Sequence, residues 1–202
     1  MVSEIRLRAA DGTPILLRRL VPTDEPALRE AIESFSPQTR YMRFFSGAPH
    51  VPEHVIHRLA DADGILHVAW VAIDESAPDH QVIGAVHAMR DDPKSPTADF
   101  AIGLIDPWHS RGISRLLIAL LASEARQVGI TRLTADVLYE NKPGRALMKS
   151  IGAVSGATGG TSIHYNIELE ATLSKLDTQK ASAPMQSVFK AIDTGAAMPV
   201  AA

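Results

Sequence analysis

Residues 98–121, ADFAIGLIDPWHSRGISRLLIALL, constrain this chain more than any other stretch. An apolar run of strand character enters a short turn holding Ser110, Arg111, Gly112 and Ser114. A helical pattern then begins at once, with Ile113, Leu116, Leu117, Leu120 and Leu121 spaced to line one face. A strand that turns directly into a helix aims several backbone N–H groups and the positive end of the helix dipole at one spot beyond the sheet. Phosphate binds well at such a spot. The segment therefore predicts a phosphorylated ligand before it predicts any chemistry.

The rest of the sequence agrees with an α/β reading, in which strand-like and helix-like spacing alternate. Ile15–Leu20 reads as a strand, and Pro22 and Thr23 open a helix with Leu28, Ala31, Ile32 and Phe35 on one face. Ser36 followed by Pro37 repeats the cap-then-proline start for a helix stopping near Gly47, and a shorter helix follows Pro52. His67–Asp74 and Val82–Arg90 read as antiparallel neighbours joined by the turn-rich loop 75–81. The strand Thr97–Ile105, the helix ending at Gly129 and a strand over Arg132–Leu138 form a right-handed crossover with parallel strands. A helix over Asn141–Ser150 stops at Gly152, and Ser162–Glu170 reads as the last strand. The expected division is one domain over residues 1–170, followed by a tail over 171–202. From Ala171 the Ala, Ser, Pro and Gly content rises, which predicts a helical turn or two and then disorder.

Composition narrows the function. With 202 residues, 46% hydrophobic, the chain suits one domain with a sizeable core. A net charge of −3 with scattered Lys and Arg gives no footprint for nucleic acid. The absence of cysteine excludes disulfides, thiolate metal sites and a cysteine nucleophile. No apolar run approaches the roughly 20 residues of a membrane span, and the N-terminus lacks a signal-like core. The expectation is a cytoplasmic protein, monomer or homodimer, with no membrane or nucleic-acid partner. His50, His54 and His57 have a spacing that could present two imidazoles on one helix face, but no carboxylate or thiolate accompanies them, so no metal is expected. Two common phosphate folds also fall away. The dinucleotide fingerprint G-x-G-x-x-G and the triphosphatase string G-x-x-x-x-G-K-[ST] are both missing.

The loop His109-Ser110-Arg111-Gly112-Ile113-Ser114 resembles the pyrophosphate loop Q/R-x-x-G-x-G/A of the GNAT superfamily of N-acetyltransferases. His stands for the usual Gln or Arg, and Ser for the final Gly or Ala. Asn141, Arg145, Ala146, Met148 and Gly152 stand where the superfamily has an Asn-led helix, and the resemblance spans roughly residues 13–170. Ser36–Phe45, SPQTRYMRFF, is similar to the S-x-x-S-x-Y-x-R-F-F of bacterial protein lysine acetyltransferases, and Ala98–Ala101 to their A-E-x-A. The resemblance implies a mixed twisted sheet of six or seven strands flanked by four or five helices. It implies acetyl-CoA as donor, gripped by His109 to Arg115, by the strand end at Leu104 and Ile105, and by Asn141. It implies a primary amine as acceptor, a protein lysine first.

The chemistry follows from the amine. A lysine with a pKa near 10.4 is neutral in only about one molecule in 2,500 at pH 7, so a base or relay must take its proton. The tetrahedral oxyanion needs a donor as well. The resemblance puts a catalytic glutamate where Asp99 stands, one methylene shorter and suited to work through a bridging water, with His87 as the second candidate. A backbone N–H near Leu104 or Ile105 is the expected oxyanion donor. Met148 occupies the place of the usual general-acid tyrosine, which leaves Tyr139 or water to protonate a thiolate already able to depart on its own. Arg111 and Arg115 add cations beside the phosphate loop. Two alternatives stay open: acetylation of a small amine, and a non-catalytic acyl-CoA-binding regulator.

Overall fold

The computed structural model describes residues 2–9, 11–179 and 182–195, with backbone alone at 157–159. Its strands are β1 (Glu4–Arg8), β2 (Pro14–Arg19), β3 (His67–Asp74), β4 (Val82–Met89), β5 (Thr97–Leu104), β6 (Arg132–Leu138), β7 (Val154–Gly159) and β8 (Ser162–Glu168). They form one mixed sheet in the order β1-β2-β3-β4-β5-β6-β8-β7. All neighbours are antiparallel except β5 and β6, joined in parallel through α4 (Ile113–Gln127). The helices α1 (Glu25–Glu33), α2 (Pro37–Phe44) and α3 (Glu53–Ala60) precede β3, and α5 (Lys142–Ile151), α6 (Leu169–Thr178) and α7 (Ala183–Thr194) follow β6.

Most expected elements are present within a residue or two. The mixed α/β architecture holds, with eight strands and seven α-helices among the described residues rather than six or seven and four or five. Two strands escaped the sequence reading. β1 shows only Ile5 and Leu7 as inward apolar positions, and β7, VSGATG, is built from small residues with no alternation. The last long strand stops at Glu168, because Leu169 is buried as the first residue of α6 rather than extending the ladder.

The larger correction concerns the C-terminal segment. The expected turn or two followed by disorder is instead two helices. α6 buries Leu169, Thr172, Leu173 and Leu176, and α7 buries Met185, Val188, Phe189 and Ala191. Both pack against α4, and α7 also meets β1. Ser182 caps α7 by accepting from the Met185 N–H, and Gly195 closes it at φ 65°. An alanine-rich composition hides this packing, because alanine at a helix contact lets two backbones approach closely. The expectation for residues 196–202 lies outside the described residues.

The sheet separates two environments. On one face, Trp70, Val86 and Ile102 lie side by side, and the Trp70 indole donates to Glu124 of α4 at 2.7 Å. On the other, Ala69, His87 and Ala101 form a cross-strand row, with Ala85 and Gly103 beside it, under α1 and α2. Gly103 accepts the edge of Phe35, since a Cβ there would stand 3.0 Å from the ring. Gly84 allows β4 and β5 their close approach, because its Cβ would meet Leu104 Cγ at 2.6 Å and the Gly103 carbonyl at 2.8 Å.

Candidate active site

β5 and β6 pair over only three positions: Thr97 with Arg132, Ala98 with Leu133 and Asp99 with Thr134. Beyond Asp99 the strands part, and a slot opens toward the end of β5. Ladder parity says which groups face it. Ile105 donates its N–H to the Ile83 carbonyl at 2.9 Å, so residues 103, 101 and 99 turn their polar backbone toward β4. The N–H and C=O of Ile102 and the N–H of Leu104 therefore face the slot. A strand edge left open in this way can pair with an extended, amide-bearing ligand.

After the strand end comes the loop over residues 109–112, which enters α4. His109 donates from Nε2 to the Leu104 carbonyl at 2.9 Å, which ties the loop to the strand end; a carbonyl only accepts, so this nitrogen carries the proton. Ser110 (φ 61°) and Gly112 (φ 82°) are both left-handed, the second as the N-cap of α4. Left-handed residues in a short turn let successive N–H groups converge on an anion. No side chain caps α4 and no acidic residue stands in its first turn, so the helix start is open to an external anion.

The flanking residues have definite tasks. Ile113 is buried, so it offers only its N–H to a ligand. Ser114 follows in the first turn of α4. Arg111 stacks 4.6 Å above the buried Trp108 ring and is ion-paired with Asp11. Arg115 donates from Nη2 to Gln179 at 2.8 Å, while its Nε is buried without a partner. Asn141 is the N-cap of α5, its Oδ1 accepting from the Gly144 N–H at 2.8 Å.

Asp99 lies at the closed vertex of the slot. It is exposed and accepts from Thr134 Oγ1 at 2.9 Å. Strand rise separates it from the two expected oxyanion donors: Leu104, five residues on, is about 16 Å away. The Leu104 N–H is thus the more distant of the two slot-facing donors from Asp99. Ile105 is corrected, since its N–H is spent on Ile83. Ile102, about 10 Å along the strand from Asp99, is the slot-facing N–H nearest to it. Met148 is buried on α5, and Tyr139 is exposed at the end of β6. The histidines of the α3 region do not gather: His50 and His54 are exposed, and His57 pairs with Glu25 at 2.9 Å. Among the described residues no group of three metal-ligating side chains comes together. Among the described residues no helix is long and apolar enough to cross a membrane.

One functional neighbour escaped the sequence reading. Asp106, just past β5, accepts from the Ser36 N–H at 3.0 Å, from Ser36 Oγ at 2.8 Å and from Thr39 Oγ1 at 2.9 Å. Burial alone would raise its carboxyl, but these donors outweigh it and hold the group below the usual carboxylate range. Asp106 thus fastens the start of α2 to the turn that enters the phosphate loop. Its signal in the sequence was only a polar residue before Pro107, indistinguishable from an ordinary turn.

The split between β5 and β6 and the uncapped start of α4 both lie within residues 15–154, which match the acetyltransferase (GNAT) domain. The chain belongs to this GNAT acetyltransferase family. It is 29% identical over 154 residues, 76% of its length, to the acetyltransferase Pat of Mycolicibacterium smegmatis. It spans 45% of that relative, under half its length. The GNAT domain of S. lividans PAT superposes with a TM-score of 0.74 at 21% identity, covering 82% of this chain and 96% of that one. An acetyltransferase from Salmonella typhimurium, solved with its cofactor acetyl-CoA, gives 0.59 at 15% identity, covering 77% and 94%. These likenesses support the fold.

Proposed function

We propose that this chain is an acetyl-CoA-dependent N-acetyltransferase that moves an acetyl group directly to a primary amine in a ternary complex, with a protein lysine as the first acceptor to test. The observation that supports the reading is that β5, whose pairing with β6 ends at Asp99, runs within a few residues into the uncapped start of α4. The pyrophosphate sits on the N–H groups around Ser110–Arg115. The pantetheine amides pair with the Ile102 carbonyl and the Leu104 N–H on the open edge. The Ile102 N–H is the donor nearest the developing oxyanion, and Asp99 takes the amine proton through water. The C–N bond forms first, giving the tetrahedral oxyanion; its collapse breaks the C–S bond, and coenzyme A leaves as thiolate without needing an acid.

The deciding experiment measures coenzyme A release by the purified chain with acetyl-CoA and a panel of lysine peptides and small amines, with Asp99→Asn as the control. The variant is expected to lose at least tenfold in kcat while calorimetry shows unchanged cofactor affinity. Full activity of Asp99→Asn would remove that carboxylate from the mechanism. The exposure of Asp99 favours a second reading, a non-catalytic acyl-CoA-binding regulator. That reading requires cofactor binding with no acetyl transfer to any acceptor of the panel.

A further inference from the structure

The ladder registers gather a row of polar side chains on the face of the sheet that carries Asp99. Asp99 pairs with Thr134 across β5 and β6, Thr134 pairs with Asn166 across β6 and β8, and Asp136 pairs with His164 across the same two strands. Ladder partners, and residues two apart along a strand, point to one side. Asp99 and Asp136 are exposed, and Thr134, His164 and Asn166 are half-buried. The row is open to an incoming molecule. Because β5 and β6 run parallel, Asp136 lies about 7 Å beyond Thr134 in the direction in which β5 runs from Asp99 to Ile102. Asp136 thus flanks the slot on its β6 side, past the end of the pairing with β5.

Asp136 and His164 form a hydrogen-bonded dyad, with Nδ1 of the imidazole 3.3 Å from Oδ1 of the carboxylate. A carboxylate only accepts, so Nδ1 carries the proton and Nε2 of the neutral ring keeps a lone pair. On the other side of the ring β7 places Gly156, where even a Cβ would stand 3.5 Å from His164 Cδ2. Gly156 therefore puts no side chain over that edge. With Nδ1 turned toward β6 and Cδ2 toward β7, the Nε2 end of the ring points out of the sheet. The other charged side chains of this face on β5, β6 and β8 are Asp99, Arg132 and Glu168, of which the last two pair with each other at 2.5 Å.

An ammonium that becomes an amide loses two protons, one before it can attack and one after the C–N bond has formed. We propose that the dyad takes the first of them, with His164 Nε2 as the catalytic base on the incoming ammonium and Asp136 as the positioning residue that fixes the tautomer and stabilises the imidazolium. This inference rests on the acetyltransferase reading above and divides its proton transfers between two groups. The ammonium N–H bond breaks toward Nε2, the freed nitrogen pair forms the C–N bond, and the second N–H proton passes through water to Asp99. The C–S electron pair leaves on sulfur, and the imidazolium and the carboxylic acid return their protons to solvent. At neutral pH an imidazole is the better matched acceptor, since reference values stand near 6.5 for imidazole and 3.9 for an aspartate. β8 lies one strand spacing beyond β6, about 5 Å, which brings Nε2 within one bridging water of an amine at the mouth of the slot.

The test compares kcat/KM of the full chain and of His164→Gln for the acceptor that the panel above finds best, at pH 7 and at pH 10, from coenzyme A release corrected for an acceptor-free blank. At pH 7 the variant is expected to lose about tenfold or more. At pH 10 roughly 30% of a lysine is already neutral, and the loss is expected to shrink to within about twofold. Asp136→Asn is expected to show the same convergence from a smaller loss, whereas Asp99→Asn, acting on the second proton, keeps its loss at both pH values. A side chain with a merely structural role has no reason to follow the ionisation of the acceptor. A His164→Gln loss that shrinks at pH 10 upholds the proposal, and no loss at pH 7, or one that does not shrink, overturns it. If the wild type acetylates no peptide and no small amine, the acetyltransferase reading fails and the dyad falls with it; wild-type turnover with an unaffected or pH-independent variant removes the dyad alone.

Discussion

Two arginines near the same strand, one buried and one half-buried, show how differently one fold can treat a guanidinium. Arg90, directly after β4, donates from Nε to the Ile65 carbonyl at 3.0 Å, and from its two terminal nitrogens to Ser95 and Val128 at 2.7 and 2.8 Å. It ties three loops together, and every part of its fork is used. Arg43, over the other end of β4, has no such partner and rests on an aromatic ring. The first serves the architecture. The second is half-buried and, among the described residues, holds no element in place through a hydrogen bond.

The sharpest way to break this comparison is a pair of melting experiments. Arg90→Met leaves three carbonyls without their donor and is expected to lower stability by about 3 kcal/mol or more. Arg43→Met removes an unpaired cation and is expected to leave the melting temperature unchanged or slightly higher. A loss at Arg43 as large as that at Arg90 would mean that both are structural. Next in size is Gly84→Ala, which presses a methyl against Leu104 and the Gly103 carbonyl and is expected to cost about 2 kcal/mol, with weaker cofactor binding measured by calorimetry.

A smaller effect is expected at Asp106, the link between α2 and the phosphate loop. Its folded carboxyl lies below its ordinary value because hydrogen bonds from Ser36 and Thr39 favour the charged form. The native state therefore binds this proton less readily than the unfolded chain. The stabilisation is present above about pH 4 and is lost as pH falls through the folded value. Asp106→Asn should lower the neutral-pH melting temperature by the equivalent of about 1 kcal/mol and flatten the acid limb of the stability profile. An unchanged acid limb would show that the link contributes nothing.

Much of the fold was legible because its signals are local. The caps at Ser36 and Asn141, the stops at Gly129 and Gly152, and the strand–turn–helix at 98–121 each act within a few residues. β1 and β7 were not legible, since short or glycine-containing strands are strands only through their neighbours. The same holds for α6 and α7, whose apolar faces acquire meaning only against α4. In the candidate site, the strand–turn–helix at 105–113 was readable and the pairing of the β5 backbone was not. Which N–H of β5 is free depends on ladder parity and on where β6 departs, and neither is written in β5 itself.

By itself, then, the amino-acid order determined the periodic elements, the anion-seeking turn and the residues able to do chemistry, because propensity, capping and helix dipoles are short-range forces. Tertiary structure alone decided that Ile105 is spent while Ile102 faces the slot, that Asp106 anchors α2, and that Arg43 stands without a counter-charge. Those facts concern distance between parts remote in the chain. Desolvation and hydrogen-bond pairing take their values only when such parts meet.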